Sequence, residues 1–163
     1  MNKQIIKIII LLSIFGGIVS GLLAIVPYIG EFIFWIIVLL LSAPCIILFL
    51  MKQGLVEISS VRQSVVIGGM IGFVVFLAFS AVYIPAVVIL AKYLNYSINY
   101  GVTLFVSHAS FWLTVVLVVF MGIFVAVTNA FSAFLTYYIT EFFKACDDKK
   151  QYDEIQFDIR KQR

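Results

Sequence analysis

Residues 65–91 have the sequence VVIGGMIGFVVFLAFSAVYIPAVVILA, which contains no charged side chain. The hydrocarbon core of a bilayer is about 30 Å thick, and a helix of about 20 apolar residues is long enough to cross it. The stretch therefore predicts a membrane-spanning helix. Pro85 lies inside it and predicts a kink near the outer end of that helix, because proline has no backbone N–H to donate.

Three further apolar runs of comparable length lie on either side of this stretch, at residues 8–26, 32–51 and 111–138. Each is long enough for one membrane-spanning helix. The sequence thus predicts an all-α, multi-pass integral membrane protein built as a four-helix transmembrane bundle. We expect the bundle to occupy residues 1–143 and residues 144–163 to form a short, charged cytoplasmic tail.

The overall composition supports this fold class and excludes several others. Of the 163 residues, 64% are hydrophobic and 12% are charged, and the mean hydropathy is +1.16. An ordinary globular domain is about half apolar and a quarter charged. A soluble domain of this size leaves much of its surface in water and has no room to bury so much apolar surface. This argues against a soluble enzyme, a disordered chain or a nucleic-acid-binding protein, and makes the lipid bilayer the expected partner.

The last apolar stretch allows two interpretations, because residues 101–143 contain no charge before Glu141. In the first, residues 102–110 lie at the outer interface or lean over the bundle, and a single span covers residues 111–138. In the second, two spans are separated by a break near Gly122. We favour the first, because the neighbours of that glycine are all apolar and an exposed turn in lipid would leave backbone groups unpaired.

The basic residues predict the topology. Four spans place both termini on one side, which then collects ten of the eleven Lys and Arg residues, with only Lys92 opposite. Cytoplasmic segments of membrane proteins carry an excess of Lys and Arg. We therefore expect both termini in the cytoplasm and the protein in the cell membrane, as a bacterial inner-membrane protein. The ten are Lys3, Lys7, Lys52, Arg62, Lys144, Lys149, Lys150, Arg160, Lys161 and Arg163.

Both ends of the chain leave an alternative open. The basic start and the stretch around Ser20 are compatible with a cleaved signal peptide, but the apolar run continues to Val26, which favours a retained signal anchor. In the tail, Tyr152, Ile155 and Ile159 have helical spacing and predict a short amphipathic helix, the alternative being a solvated, frayed tail. Near the start of the tail, Glu141 and Lys144 are three residues apart, and we expect them to form an ion pair.

Small residues recur at the spacing that lets membrane helices pack closely. Each of three predicted spans has such a ridge, and we expect these ridges to form the contacts of the bundle. The predicted helix-packing residues are Gly16, Gly17, Ser20 and Gly21 in the first span, Gly68, Gly69 and Gly72 in the third, and Gly122 and Ala126 in the fourth.

Polar side chains within a span are the first place to look for function. Asn129, Ser132 and Thr136 fall on one face of the fourth predicted span and form a candidate polar stripe. Such a stripe can line a narrow pathway or clamp a partner helix. It can also hydrogen-bond across the bundle or back to its own helix, which is the commoner use of such residues.

Recognisable catalytic chemistry is missing from the sequence. It contains no nucleophile elbow, zinc-protease motif or phosphate-binding loop. His108 is the only histidine, Cys45 and Cys146 are isolated, and Glu31 falls at a predicted turn. We therefore expect no catalytic residue, no metal site and no cofactor.

The sequence favours a non-enzymatic membrane interaction or accessory subunit, which binds another membrane protein or a second copy of itself. The alternative is a small oligomeric transporter or channel subunit whose path is lined by Asn129, Ser132 and Thr136.

Overall fold

The computed structural model of the chain describes residues 3–26, 35–55, 60–94 and 99–161. The described residues are helical and contain no strand. The predicted turn after the first span, Glu31 and the start of the second predicted span at residue 32 lie outside them. The helices are α1 (Lys3–Leu23), α2 (Ile37–Lys52), α3 (Val61–Leu94), α4 (Tyr100–His108) and α5 (Phe111–Lys161).

The all-α prediction is confirmed for the described residues. The three helices α1, α3 and α5 are long and apolar enough to cross a membrane. The remaining apolar helix, α2, is shorter than a typical span in its described part.

Helix α3 is the central element, because it packs against both α1 and α5. Gly17 and Gly21 of α1 approach α3 near Val75 and Phe79 respectively, so these two helices are parallel. Helices α3 and α5 are antiparallel, because Ser64 of α3 meets a later residue of α5 than Gly72 does. Helix α2 contacts α5 in parallel orientation.

These directions bring one set of charged residues to a single end of the bundle. The starts of α1 and α3 and the end of α2 lie at that end, and α5 passes it at Glu141. We call it the basic end, defined by Lys3, Lys7, Lys52, Arg62 and Lys144.

Helix α2 is irregular where it meets α5. Its first turns, Ile37–Leu41, are π-helical, and the regular α-helix Ser42–Lys52 follows, with Pro44 near its start. A π-turn is a local insertion into the helical ladder and commonly marks a functional or strained position. The helix ends at Lys52, and Gly54, two residues later, has a φ of 66°, the left-handed conformation that glycine adopts after helix ends.

Residues 100–108 form a separate helix and are not a continuation of the last span. The side chain of Asn99 accepts a hydrogen bond from the Val102 N–H at 3.0 Å and caps the start of α4. The chain is extended at Ala109, and α5 then begins at Phe111 and passes through Gly122 without a break. It also continues through the predicted tail to Lys161.

The surface of the helices is as apolar as their interior. Large side chains of α5 such as Trp112, Phe120 and Phe131 are 75%, 67% and 62% exposed. Such a surface is compatible with lipid and not with water. Glu141 and Lys144 form the predicted ion pair, with Nζ and Oε1 3.1 Å apart.

Candidate functional site

The amide of Asn129, midway along α5, is completely buried and faces α2. Its Oδ1 atom accepts hydrogen bonds from the Ser42 hydroxyl at 2.8 Å and from the Ala43 backbone N–H at 3.0 Å. One side chain of α5 therefore binds both a side chain and the backbone of α2.

The amide nitrogen of Asn129 faces the carbonyls of the π-helical turn. Its Nδ2 atom donates to the Leu39 carbonyl at 2.9 Å and to the Val38 carbonyl at 3.1 Å. The neighbouring Thr128 hydroxyl donates to the Leu39 carbonyl as well, at 2.9 Å. We call the contact between Asn129, Thr128 and residues 38–43 the amide junction.

Pro44 explains why α2 needs donors from another helix. An N–H at position 44 would bond to the carbonyl of Leu40 in an α-helix, or to that of Leu39 in the π register that precedes it. Proline has no N–H to give. In hydrocarbon a carbonyl without a partner is costly, since no water is present to replace the missing donor. The amide junction supplies donors to the second of these carbonyls, that of Leu39, and joins α2 to α5 at this turn.

The other members of the candidate polar stripe bond to their own helix. The Ser132 hydroxyl donates to the Thr128 carbonyl at 3.1 Å, and the Thr136 hydroxyl donates to the Ser132 carbonyl at 2.8 Å. Thr140 continues the series by donating to the Thr136 carbonyl. The structure thus brings Asn129 to α2 but leaves the hydroxyls of Ser132 and Thr136 occupied within α5.

A second interhelical hydrogen bond joins α3 and α5. The Ser64 hydroxyl is buried and donates to the Ala133 carbonyl at 2.7 Å. Together with the amide junction it ties α5 to both neighbouring helices.

Two of the predicted glycines carry the contact between α1 and α3. A Cβ atom on Gly17 would overlap the Val75 carbonyl and the Ala78 side chain, and one on Gly21 would lie 3.1 Å from the Phe79 carbonyl oxygen. The approach at Gly17 is one that only glycine permits, whereas at Gly21 a Cβ would need its neighbours to shift by a few tenths of an ångström. Gly16, by contrast, has open space where its Cβ would be.

The contact between α3 and α5 also depends on close approach of the two helices at glycine residues. A Cβ atom on Gly72 would lie 2.6 Å from the Cβ of Asn129 and 2.8 Å from the Val125 carbonyl oxygen. One on Gly68 would overlap the Ala133 side chain and lie 2.8 Å from the Asn129 carbonyl oxygen. The amide junction and the α3–α5 contact therefore meet on opposite sides of Asn129.

The remaining predicted packing residues have looser surroundings. Gly69 would place a Cβ 3.7 Å from the Ala126 carbonyl oxygen, which is an ordinary contact. A Cβ atom on Gly122 would lie 3.2 Å from the ring of Phe73, which is a side chain. Ser20 is only partly buried.

A cavity of about 270 Å³ lies between α3, α4 and α5, away from the polar stripe. Its aromatic wall contains Trp35 and three rings of α3, among which Phe79 and Tyr83 stack with centroids 5.2 Å apart. Trp35 is edge-on to Phe79 at 5.3 Å. Helix α4 covers one side with Val102 and other apolar side chains. Among the described residues, no Asp, Glu, Lys or Arg lines the cavity.

The remaining reactive side chains do not converge. Among the described residues, no three His, Cys, Asp or Glu side chains form a group that could hold a metal ion. His108 is exposed at the end of α4, and Cys45 is exposed on α2.

Sequence reasoning missed the α2 half of the amide junction and the whole cavity. Pro44 inside an apolar run was the available signal for a break in α2. The cavity had no such signal, because its lining residues are common apolar ones drawn from separate helices.

Comparison of the chain with protein-family models, curated proteins and solved structures finds no match.

Proposed function

We propose that the chain is a four-span protein of the cell membrane, in a bacterial inner membrane, and that it acts as a non-enzymatic accessory subunit for another membrane protein. In this proposal α2 is the fourth span. Its 16 residues continue a helical stretch that includes Trp35 and Ile36. Those 18 residues have a helical length of about 27 Å, close to the thickness of the hydrocarbon core.

The distribution of charge supports a cytoplasmic location for both termini. The basic end gathers Lys3, Lys7, Lys52, Arg62 and Lys144, whereas Lys92 lies at the end of α3 that points away from it. An excess of Lys and Arg marks the cytoplasmic side of a membrane protein.

The observation that carries the accessory role is the length of α5. This helix contacts α2 near Met51 and Glu141, and then continues for 20 further residues to Lys161. Its exposed residues after Glu141 include Phe142, Phe143 and Lys144. We call residues 144–161 the arm.

The composition of the arm favours a protein partner over the membrane surface. It contains five acidic and five basic residues, so their formal charges cancel. Binding to anionic lipid needs clustered positive charge, which this segment does not provide. A helix with both signs of charge suits a partner with complementary charges.

The hydrogen bonding of the polar stripe weighs against the transporter alternative. Asn129 is fully used at the amide junction, and the hydroxyls of Ser132 and Thr136 bond within α5. A path lined by these two hydroxyls would have no free donor from them unless these bonds break, and could use only their acceptor lone pairs.

The test is a tagged purification from native membranes in mild detergent, read by mass spectrometry. We expect a stoichiometric membrane-protein partner with the full chain and its loss from a variant ending at Cys146. A second variant, Asp147→Lys with Asp148→Lys, keeps the length of the arm and changes its charge. We expect it to capture less of the partner than the full chain does. A full chain that purifies alone contradicts the proposal. A homo-oligomer without other subunits would favour the transporter, to be followed by flux assays in vesicles.

A further inference from the structure

The cavity between α3, α4 and α5 is lined by a buried serine whose hydroxyl its surroundings do not satisfy. Ser80 lines the cavity and is 5% exposed. Its hydroxyl has no hydrogen bond to any residue in the described part of the chain. Within that part no side-chain oxygen or nitrogen is both fully enclosed and unpartnered, so the Ser80 oxygen is accessible, and the cavity is the space it lines.

Ser80 lies deep along α3. It precedes Leu94, the last residue of the helix, by 14 residues, which corresponds to about 21 Å along the helix axis. A hydroxyl at this depth gains from a ligand that brings its own hydrogen-bonding atom, since no bulk water is available there.

The walls of the cavity define the rest of such a ligand. The described part of the chain places no charged residue in the lining, which favours a neutral molecule, because an unpaired charge in hydrocarbon is very costly. The rings of Trp35, Phe76, Phe79 and Tyr83 present faces and edges that pair well with another flat ring. A volume of about 270 Å³ suits one ring, being just below the usual range for drug-sized ligands.

We propose that this cavity binds a neutral, membrane-soluble ring compound with a carbonyl or hydroxyl oxygen, of which a quinone is the simplest example, and that Ser80 hydrogen-bonds to that oxygen. A lipid acyl chain fits these observations less well, because its polar ester stays at the membrane interface and would leave Ser80 unpaired. The proposal goes beyond the accessory role and does not depend on it.

Trp35 provides a direct probe. The chain has two tryptophans, so the Trp112→Phe variant leaves Trp35, in the cavity wall, as the single emitter. We would titrate this full-length variant in detergent with decylubiquinone, whose ring quenches nearby tryptophan. Saturable quenching is expected. Non-specific quenching by quinone dissolved in the micelle rises linearly with quinone concentration. Finding only this linear quenching, with no saturable part, would overturn the proposal.

Three further substitutions in this background locate the site. Ser80→Ala removes one hydrogen bond without changing the shape of the cavity, and we expect the apparent Kd to rise approximately fivefold. Val118→Phe fills the cavity and should abolish the saturable component. Ser107→Ala is the matched control, because its hydroxyl donates to the Thr103 carbonyl at 2.7 Å outside the lining; it should leave binding unchanged.

Two outcomes would contradict the assignment even if Val118→Phe fails to fold. An unchanged Kd for Ser80→Ala would show that the hydroxyl does not contact the ligand. Brominated acyl chains can also be tested as quenchers of Trp35. If they quench it and added decylubiquinone does not reduce that quenching, the occupant of the cavity is a lipid chain. Circular dichroism and elution of each variant as a single species check that the fold is retained.

Discussion

The Oδ1 atom of Asn129 accepts the backbone N–H of Ala43 at 3.0 Å, one residue before Pro44. A side chain of α5 thus takes the place of a helical carbonyl in α2. With the donation from Nδ2 to the Leu39 carbonyl, the same amide serves as donor and acceptor for a single irregular turn. Asparagine is well suited to this role, since its amide presents two donors and an acceptor in one plane.

Removing the amide should destabilise the protein strongly. Asn129→Ala leaves the buried Ala43 N–H without its acceptor and removes one of the two donors to the Leu39 carbonyl, the other being the Thr128 hydroxyl. We expect the free energy of unfolding to fall by about 2–3 kcal/mol. The measurement is unfolding in mixed micelles of increasing SDS content, followed by circular dichroism. Ser132→Ala is the control, because its hydroxyl bonds only within α5, and should change stability by no more than about 0.5 kcal/mol. Equal effects of the two would refute the special role of the junction.

Pro44 should be energetically coupled to Asn129. Pro44→Ala restores a backbone N–H that can satisfy a carbonyl of α2 from within its own helix. We expect Asn129→Ala to cost about 1 kcal/mol less in the Pro44→Ala background than in the wild type. The same unfolding assay, applied to the four proteins of the double-mutant cycle, measures this difference. Additive effects would mean that the amide does not compensate for the proline.

Adjacent glycines of α1 should respond oppositely to alanine. Gly17→Ala places a methyl group against the Val75 carbonyl, which belongs to the backbone and cannot rotate away. The helices must separate, at a cost of about 1–3 kcal/mol. Gly16→Ala meets open space and should be neutral or stabilising by up to about 1 kcal/mol, because alanine favours the helix. A larger loss for Gly16→Ala than for Gly17→Ala in the unfolding assay would contradict the α1–α3 contact.

The proposed topology can be tested with Cys146. In intact cells an impermeant maleimide should leave this thiol unlabelled, and permeabilisation of the cell membrane should allow labelling. Ser107→Cys in a Cys146→Ser background is the positive control, since residue 107 is exposed on α4, away from the basic end. Labelling of Cys146 in intact cells would require an odd number of spans between it and the cytoplasmic N-terminus that we propose.

The sequence was sufficient to predict the long apolar helices, but not the separate helix α4 or the pairing of the helices. Uninterrupted apolar runs gave α1, α3 and the membrane part of α5 because length and hydropathy are properties of one segment. The choice of Gly17 over Gly16 as the residue that meets α3 depends on the rotation of α1 about its axis. Four-residue spacing is the same for both glycines, so spacing alone could not separate them.

The candidate site, too, could be predicted from the sequence only in part. Asn129 stood out as a buried polar residue in a span, but its partners lie 86 and 87 residues earlier in the chain, at Ala43 and Ser42. Sequence analysis assumed a regular helix at residues 32–51 and gave Pro44 no role. The cavity needed three helices to be placed together before Ser80 could be distinguished from other helical serines.

The amide junction has a consequence for how the protein is made. If α2 is the fourth span, as we propose, the ribosome completes it long before it reaches Asn129, and the nascent helix would enter the membrane with the Val38 and Leu39 carbonyls lacking their donors from Asn129. Until α5 emerges, α2 has to stay in a hydrated or protein-lined environment such as the insertion channel, because lipid offers these carbonyls nothing. In this proposal, stable insertion of α2 into the bilayer depends on α5 and is complete only after α5 has been synthesised.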